Sequence, residues 1–437
     1  MNKFERALEY IKENIDKDSQ FYKKIFLVGG CVRDELLGQR FSDLDLLIDM
    51  PDGQKKFVEY MCATHPDVCR GPFYYKRYGT TAMDMIIDGT FTLVECVEPH
   101  IEQYNEEGTE LLETQFCTLE EDAKRRDYTC NALYKNLHTG KTIDPSGMGI
   151  ADLKAKYLRT PGNPDEIYLQ DPVRMLRGIR FKHQKGFELD AEAWDAIVRH
   201  HDRIVYSAPT RMREEVHKML KSSDMPGAFD DLEKSGLLPY LFPGLEKYIN
   251  KDIKAEHLRE DFTIWSHTRL ALSIQLKEHP HTEIIYRLAV LFADIAILDG
   301  IETVQKILKE SLGSSKEKVL SVVQILRNYL RFRTFFNSRK YIITKSSVWP
   351  KFLNALCSKK AEFRRMVRAL NHGMQPDKTL PYELLFDNAE MPIPAARTNK
   401  NSPSPEERAA IRKARNKRKR ERQKLRKIRE IATSEQR

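Results

Sequence analysis

The sequence predicts an α+β protein in which an N-terminal head with a mixed sheet and helices is followed by an all-α body and a basic tail. Three observations carry this reading. Up to about residue 155, short apolar runs bounded by glycine or charge alternate with helical periodicities. From Asp171 to about residue 373, apolar residues recur at helical spacing. Pro376–Pro405 is then rich in Pro, Asn and Ser, as a linker is. At 437 residues the chain exceeds what one compact core usually holds. The expected division is 1–155, 156–245, 246–375 and 376–437, with no internal repeat.

The head begins with Phe4, Leu8, Ile11 and Ile15, whose spacing predicts a helix over 4–17. Ile25–Val28 follows as a short apolar strand, closed by Gly29-Gly30. A second helix is expected from Val32, and a strand over Asp43–Ile48. Thr81–Ile87 and Phe91–Val97 read as further strands.

Composition narrows the class. Hydrophobic residues make up 41% and charged residues 31%, which suits a soluble folded chain. No apolar run approaches the roughly 20 residues of a membrane span; the best, Leu288–Leu298, is short and interrupted by Asp294. Met1–Lys17 is charged and amphipathic, unlike a secretion signal. Seven scattered cysteines argue against a disulfide framework and for a reducing cytoplasm, so a cytoplasmic protein with no membrane association is expected. Cys62, His65 and Cys69 lack the second ligand pair of a zinc site. Arg408–Arg429 carries thirteen Lys/Arg and one Glu, whereas the whole chain is only +9, so the basic character belongs to the tail. Such a segment suits a polyanion such as RNA; its bland alternative is a solvated, partly helical tail.

Asp43-Leu44-Asp45 holds the chemical interest. On a strand, residues i and i+2 share a face roughly 7 Å apart. Two carboxylates there, leading into Leu46-Leu47-Ile48, are costly unless cations neutralise them. Hard oxygen donors suit Mg²⁺, and a two-metal site clamps the attacking and leaving oxygens of a phosphoryl transfer. Alone, Asp-x-Asp is more often a surface strand edge. Upstream, Gly29-Gly30 lets backbone N–H groups approach a phosphate, and Arg33 offers a fork of donors to the same oxygens. Gly140-Lys141-Thr142 looks like the end of a P-loop, but Lys135 stands where its first glycine belongs.

With these residues in order, the chain resembles the class II tRNA nucleotidyltransferase and bacterial poly(A) polymerase family. Gly29-Gly30-Cys31-Val32-Arg33-Asp34 and Asp43-Leu44-Asp45 match its head, and four further blocks follow. They are Glu120-Glu121-Asp122 leading into Arg125-Arg126-Asp127-Tyr128-Thr129; Asn131-Ala132-Leu133; Asp144-Pro145; and Asp171-Pro172-Val173-Arg174-Met175-Leu176-Arg177-Gly178-Ile179-Arg180-Phe181. The resemblance covers roughly residues 20–245. It implies a polymerase-beta-like nucleotidyltransferase head and a helical neck, body and tail.

By the same resemblance, Asp43 and Asp45 hold two Mg²⁺ ions and Glu95 is the third carboxylate. Gly29, Gly30 and Arg33 hold triphosphate, Arg126 and Asp127 contact phosphate and ribose, and Asn131 supports them. Asp171 and Arg174 resemble the family's protein template; their i, i+3 spacing puts them on one helix face. Asp171 accepts from the exocyclic amine of cytosine or adenine, and Arg174 donates to ring acceptors. Arg177 and Arg180 continue that face. Departures are Gln170, Ser146-Gly147-Met148-Gly149, and Thr210-Arg211 with Glu215, none of which removes a catalytic carboxylate.

Beyond residue 245, Ile264-Trp265-Ser266-His267-Thr268 and Arg287–Ala296 resemble a metal-binding HD phosphohydrolase domain. Ala293-Asp294 replaces the His-Asp pair, so a degenerate helical region used for RNA or packing is expected. Tyr78-Gly79-Thr80 and Val94-Glu95-Cys96-Val97 with Glu102-Gln103-Tyr104 look like CCA-adding enzymes, which use CTP and ATP on tRNA 3′ ends. The basic tail looks more like poly(A) polymerases. CCA addition is therefore the first expectation and poly(A) synthesis the second. A CC-only or A-only specialist and a catalytically dead RNA-binding protein come after.

Overall fold

The computed structural model describes residues 2–40, 43–75, 79–104, 111–249, 251–312, 314–337 and 360–380. The linker from 381 and the basic tail lie outside them.

Helix α1 (Lys3–Glu13) opens with a capping box. The Asn2 side chain accepts from the Phe4 and Glu5 amides while Glu5 reaches back to the Asn2 amide. It ends before the expected residue 17, because the Asn14 backbone and side chain both turn back onto the Tyr10 carbonyl. Strand β1 (Ile25–Val28) leads into helix α2 (Gly30–Leu36), which starts two residues before the expected Val32. Strand β2 spans Asp45–Ile48. Asp43 thus precedes the strand rather than opening it, although the Glu95 amide still donates to the Leu44 carbonyl at 3.0 Å.

Helix α3 (Gly53–Thr64) and strand β3 (Cys69–Tyr75) follow, then β4 (Thr80–Ile87) and β5 (Thr90–Val97) within a residue of expectation. Strands β6 (His100–Tyr104) and β7 (Leu111–Phe116) make a separate hairpin. Helix α4 (Leu119–Lys124), strands β8 (Tyr134–Asn136) and β9 (Thr142–Ile143) and helix α5 (Gly149–Ala155) complete the head. Pro72 hides β3 from sequence reading, but β3 lies at the sheet edge, where a missing N–H is tolerated.

The strands form one seven-stranded sheet, ordered β3-β4-β5-β2-β1-β8-β9. It is mixed, as expected: β2 runs parallel to β5, while β1 is antiparallel to β2 and to β8. Strands β1 and β2 are apolar on both faces because both are covered. Ile25, Leu27, Leu46 and Ile48 pack with Ala7 and Ile11 of α1 and Phe57, Val58 and Met61 of α3. Phe26, Val28 and Leu47 pack on the other side with Leu119 and Ala123 of α4 and with Ala132 and Tyr134. By strand alternation Asp45 shares this second face with Leu47.

After the short parallel pair β10 (Tyr157–Leu158) and β11 (Glu188–Leu189), the rest is helical. The helices are α6 (Pro164–Gln170), α7 (Val173–Lys185), α8 (Ala191–His200), α9 (Pro209–Leu220), α10 (Met225–Lys234) and α11 (Leu238–Leu241). Then come α12 (Ile264–Glu278), α13 (Ile284–Leu298), α14 (Gly300–Glu310), α15 (Lys316–Asn337) and α16 (Lys360–Asn371). They share one apolar core running from Ile167 to Leu380. Every residue from Tyr286 to Ala296 is buried, so protein surrounds α13 on all sides, Arg287 and Asp294 included. No helix among the described residues is long and apolar enough to cross a membrane.

In the HD-like region Asp294 is fully buried. It accepts from His257 Nε2 at 2.9 Å and from His267 Nδ1 at 2.6 Å. That carboxylate is consumed by packing. The six described cysteines are free, and His65 bonds Asn14 and Thr64 rather than joining Cys62 and Cys69.

Candidate active site

The parallel β2–β5 register sets Asp45 directly beside Glu95. Glu95, like Phe91 and Leu93, is exposed on β5 while Thr92, Val94 and Cys96 are buried, so the carboxylates share the open face. Burial, then Asp43, then Glu95 push the Asp45 carboxyl up to about 7. Burial and Asp43 likewise raise Glu95, and Glu214 of α9 adds to it. Among the described residues no three acidic, His or Cys side chains are already gathered as a coordination set. The chemistry still fits a hard divalent cation: these are oxygen donors whose mutual repulsion such an ion would relieve.

On the β1 side of the carboxylates the charge reverses. Gly29 adopts φ +61° and ψ −126°, a conformation open to glycine, and nothing stands within 4 Å of where its Cβ would be. Gly30 begins α2, and Arg33 one turn later is only 7% exposed. Arg33 donates to Asp34 at 2.8 Å and to Asn131 Oδ1 at 2.9 Å. Asn131 Nδ2 in turn donates to Asp127 at 3.1 Å, and Arg177 Nε donates to Asp127 Oδ2 at 2.7 Å. One continuous chain thus joins Arg33, Asn131, Asp127 and Arg177. Despite burial, Arg177 and Asn131 hold the Asp127 carboxyl down at about 2. The Tyr128 amide also donates to Asp127. Its carboxylate thus accepts bonds from three protein groups, which leaves about one of its four lone-pair sites for the ribose contact the resemblance implies.

Arg126 is anchored separately by Asp122, at 2.9 Å to Nε, and stacks on Tyr134 with its guanidinium 5.0 Å from the ring centre. Asp122 is fully buried; burial opposes its charge, but Arg126, Arg125 and the Tyr134 hydroxyl hold its carboxyl well below the usual range. Asp122 carries no expected role in the Glu120-Glu121-Asp122 block. Its i+3 and i+4 spacing to Arg125 and Arg126 is the signal that finds it.

Helix α7 brings the remaining cations. Gly178 lets it approach closely, since a Cβ there would stand 2.2 Å from the Tyr128 hydroxyl, which bonds the Arg174 carbonyl. Phe181, fixed by that approach, is ringed by Arg33, Arg177 and Arg180 at 5.1, 5.5 and 4.1 Å. Glu215 of α9 neutralises Arg180 at 2.5 Å. Asp171 and Arg174 do not share a helix face as expected. Asp171 caps the end of α6 with φ −143° and ψ 89°, because the residue before a proline is driven out of the helical region. The pair still meets, Arg174 Nε lying 3.5 Å from Asp171 Oδ2. Arg211 of α9, absent from the expected site, grips both Asp171 oxygens at 2.9 and 2.7 Å. Burial opposes the Asp171 charge, but Arg174 and Arg211 outweigh it and lower its pKa.

Comparison with known proteins finds two family models and a set of relatives. Residues 25–159 match the family model of the poly A polymerase head domain, and residues 186–249 that of the probable RNA and SrmB-binding site of polymerase A. Poly(A) polymerase I of Escherichia coli is 30% identical over 288 residues, 65% of this chain and 59% of its own length. The CCA-adding enzyme of Bacillus velezensis is 29% identical over 53% of this chain and 54% of its own length. The chain thus spans between half and three fifths of these relatives. Among solved structures, a tRNA-processing enzyme aligns over 80% of this chain and 84% of its own at TM-score 0.56 and 17% identity. The Thermotoga maritima CCA-adding enzyme complexed with tRNA aligns over 81% of this chain and 75% of its own at TM-score 0.54 and 17% identity. At these identities the likeness is one of fold.

Proposed function

We infer that the chain belongs to the tRNA nucleotidyltransferase and poly(A) polymerase family, and on that premise that it adds nucleotides to RNA 3′ ends without a nucleic-acid template. The reading rests on one juxtaposition: Asp45 beside Glu95 on one side, and the Arg33–Asn131–Asp127–Arg177 chain on the other. Carboxylates crowded by like charge adjoin arginines held in place by hydrogen bonds, and a metal–nucleoside triphosphate suits both.

In this reading Asp43, Asp45 and Glu95 hold Mg²⁺, which when bound neutralises phosphate charge and favours attack by the RNA 3′ hydroxyl. Gly29-Gly30 lets triphosphate oxygens approach the backbone. Arg33 and Arg177 are aimed by Asn131 and Asp127, so the cationic wall is preorganised rather than assembled at each turnover. Arg126, held by Asp122, extends that wall. Asp171 and Arg174 face the base, and Arg211 fixes the Asp171 carboxylate; Arg180 is a positioning residue locked on Glu215. The head over 1–155 carries catalysis, 156–245 selects nucleotide, 246–375 is a helical support, and 376–437 reaches RNA phosphates.

CTP and ATP are the proposed substrates and CCA addition to tRNA the proposed product, on the side-chain complementarity of Asp171 and Arg174 to cytosine and adenine. Poly(A) synthesis is the second reading, favoured by the longer match to Poly(A) polymerase I, 65% of this chain against 53% for the CCA-adding enzyme. Incubating the full chain with CTP and ATP, on tRNA lacking its CCA end and on an unrelated RNA, separates them. Sequenced products ending in CCA on tRNA alone support the first, and A-tracts on both RNAs the second. Products ending in CC, or in a single A added only to tRNA that already ends in CC, would identify a specialist. No extension of either RNA would overturn the function.

A further inference from the structure

The sheet face that carries Asp45 and Glu95 continues, away from the arginines, into a strip with exposed apolar side chains on β3 and β5, beside which Asp84 is the register partner of Leu93 and Arg70 that of Asp84. Phe73 is the register partner of Ala82, and Ala82 of Glu95; Tyr75 partners Thr80. Leu93 lies two residues from Glu95 along β5. Register partners and alternate residues share a face, so Phe73, Tyr75 and Leu93 lie on the catalytic side. They are 41%, 45% and 42% exposed, whereas Met83, Met85, Val94 and Cys96 on the opposite face are fully buried. Large apolar side chains grouped on an open surface mark a binding site more often than chance exposure.

The position of the strip identifies its occupant. The cationic wall stands on the β1 and β8 side of the carboxylates, which fixes the triphosphate there in the proposed function. Phosphoryl transfer requires the attacking and leaving oxygens to lie roughly in line on opposite sides of the reacting phosphorus. The RNA 3′ hydroxyl therefore arrives from the β5, β4 and β3 side, across this strip. We propose that Phe73, Tyr75 and Leu93 form a platform on which the unpaired 3′-terminal bases of the acceptor RNA stack. The small side chains of Ala82 and Thr80 leave a floor between the Phe73 row and Glu95, two strand spacings or roughly 10 Å wide, room for a base lying over the sheet. Stacking on aromatic faces is tolerant of base identity, which suits an end whose sequence changes with every addition. The inference rests on the proposed function and adds to it the side and the surface by which the acceptor enters.

The test uses the full chain and an RNA with 2-aminopurine as its last, unpaired base, without nucleotide. Stacking quenches that base, so wild type should quench it. Tyr74→Phe is the control, because Tyr74 lies on the other face with its hydroxyl on Glu59. The double variant Phe73→Ala with Tyr75→Ala should lose quenching, and Phe73→Trp should keep it. In extension assays the double variant's KM for RNA should rise by about five- to 150-fold, the range for losing one base stack, with the KM for ATP near wild type. A double variant that keeps its thermal midpoint, its quenching and its RNA KM overturns the platform. So does a Leu93→Asp variant that converts a wild-type dimer to a monomer, since the strip would then belong to a second copy. Failure of wild type to extend any RNA is instead the failure of the proposed function, and it takes the platform with it.

Discussion

Asp45 and Glu95 stand side by side on parallel strands with Asp43 two residues upstream, like charge facing like charge. Asp45, pushed up to about 7, lies well above its unfolded value of about 3.9. The folded protein therefore holds a proton that the unfolded chain has lost, and this contribution to stability is present below about pH 4 and gone above 7. Asp45→Asn escapes the loss. In EDTA at pH 8 the variant should be more stable than wild type by about 1–3 kcal/mol, the pKa shift discounted for partial solvation, and the difference should shrink at pH 5. Mg²⁺ should raise the thermal midpoint of wild type and not of the variant, and nucleotide addition by the variant should be nearly abolished. A variant less stable than wild type at pH 8, or one still responsive to Mg²⁺, would remove Asp45 from the metal site.

In the proposed function the Arg33–Asn131–Asp127–Arg177 chain gives Asp127 a positioning role, since its oxygens already accept from Arg177, Asn131 and the Tyr128 amide. Asp127→Asn should loosen Arg177 and raise the KM for ATP and for 2′-deoxy-ATP alike, by about tenfold for the loss of one charge-assisted bond. The ratio of efficiencies between the two nucleotides should stay near that of wild type. Loss of ribose preference alone would show that Asp127 takes the 2′-hydroxyl, as the family resemblance implies.

Much of this site is legible in the sequence because its elements are local. Asp43 and Asp45 are i and i+2, Gly29-Gly30 and Arg33 fall within one turn, and both patterns carry their physics with them. The Asp45–Glu95 pairing is a different matter, because strand register between segments fifty residues apart has no signature in a single chain. Arg211 escapes for the same reason, forty residues from the Asp171 it grips. The helix-face expectation for Asp171 and Arg174 fails for a local reason: Pro172 ends the regularity, and the i, i+3 spacing rule does not hold across it. In the fold, β1 and β2 are readable from unbroken apolar runs, whereas Pro72 and exposed aromatics disguise β3 as a loop.

The buried His267–Asp294 pair gives the helical region its own pH signature. Burial opposes the His267 imidazolium, but Asp294 and the Leu370 carbonyl outweigh it and raise its pKa. That contribution is present below the ordinary histidine value of about 6.5 and lost as pH rises through the raised one. Asp294 is depressed despite burial, so its share is present above about pH 4 and lost only in stronger acid. Urea midpoints should therefore fall between pH 6 and 9 in wild type. Asp294→Asn should cost about 3–5 kcal/mol at pH 6, as removal of one buried partner does, and should flatten the slope. Equal slopes in the two proteins would mean that His267 is neutral throughout.

The tail offers a test independent of the catalytic geometry. Thirteen Lys/Arg between Arg408 and Arg429 should release several counterions on binding RNA phosphates, which makes affinity fall steeply with salt. Removing residues after Pro405 should weaken RNA binding and flatten the plot of log affinity against log salt, while leaving the choice among nucleotides intact. Identical slopes with and without the tail would assign RNA binding to residues before it.

Base choice is the most demanding test, because Asp171 is both a proposed reader and already an ion-pair partner. Arg211 donates one N–H bond to each Asp171 oxygen, and Arg174 lies 3.5 Å away. A carboxylate offers about four lone-pair sites, so a base amine can still be accepted, with Arg211 fixing the direction in which it must come. Asp171→Ala removes the acceptor: CTP and ATP should be used less well, and the handicap of UTP and GTP, whose carbonyls face a carboxylate in wild type, should shrink. The lost discrimination should be about 1–3 kcal/mol, roughly ten- to a hundredfold. Arg174→Ala should hurt CTP and ATP without favouring GTP. Arg211→Ala leaves both readers in place but frees the carboxylate to rotate, so discrimination should fall by less than in Asp171→Ala. Single-nucleotide addition with each of the four triphosphates, compared across wild type and the three variants, decides the matter. If all three variants lose activity equally on all four nucleotides, the cluster braces α7 against α9, and the base is read elsewhere.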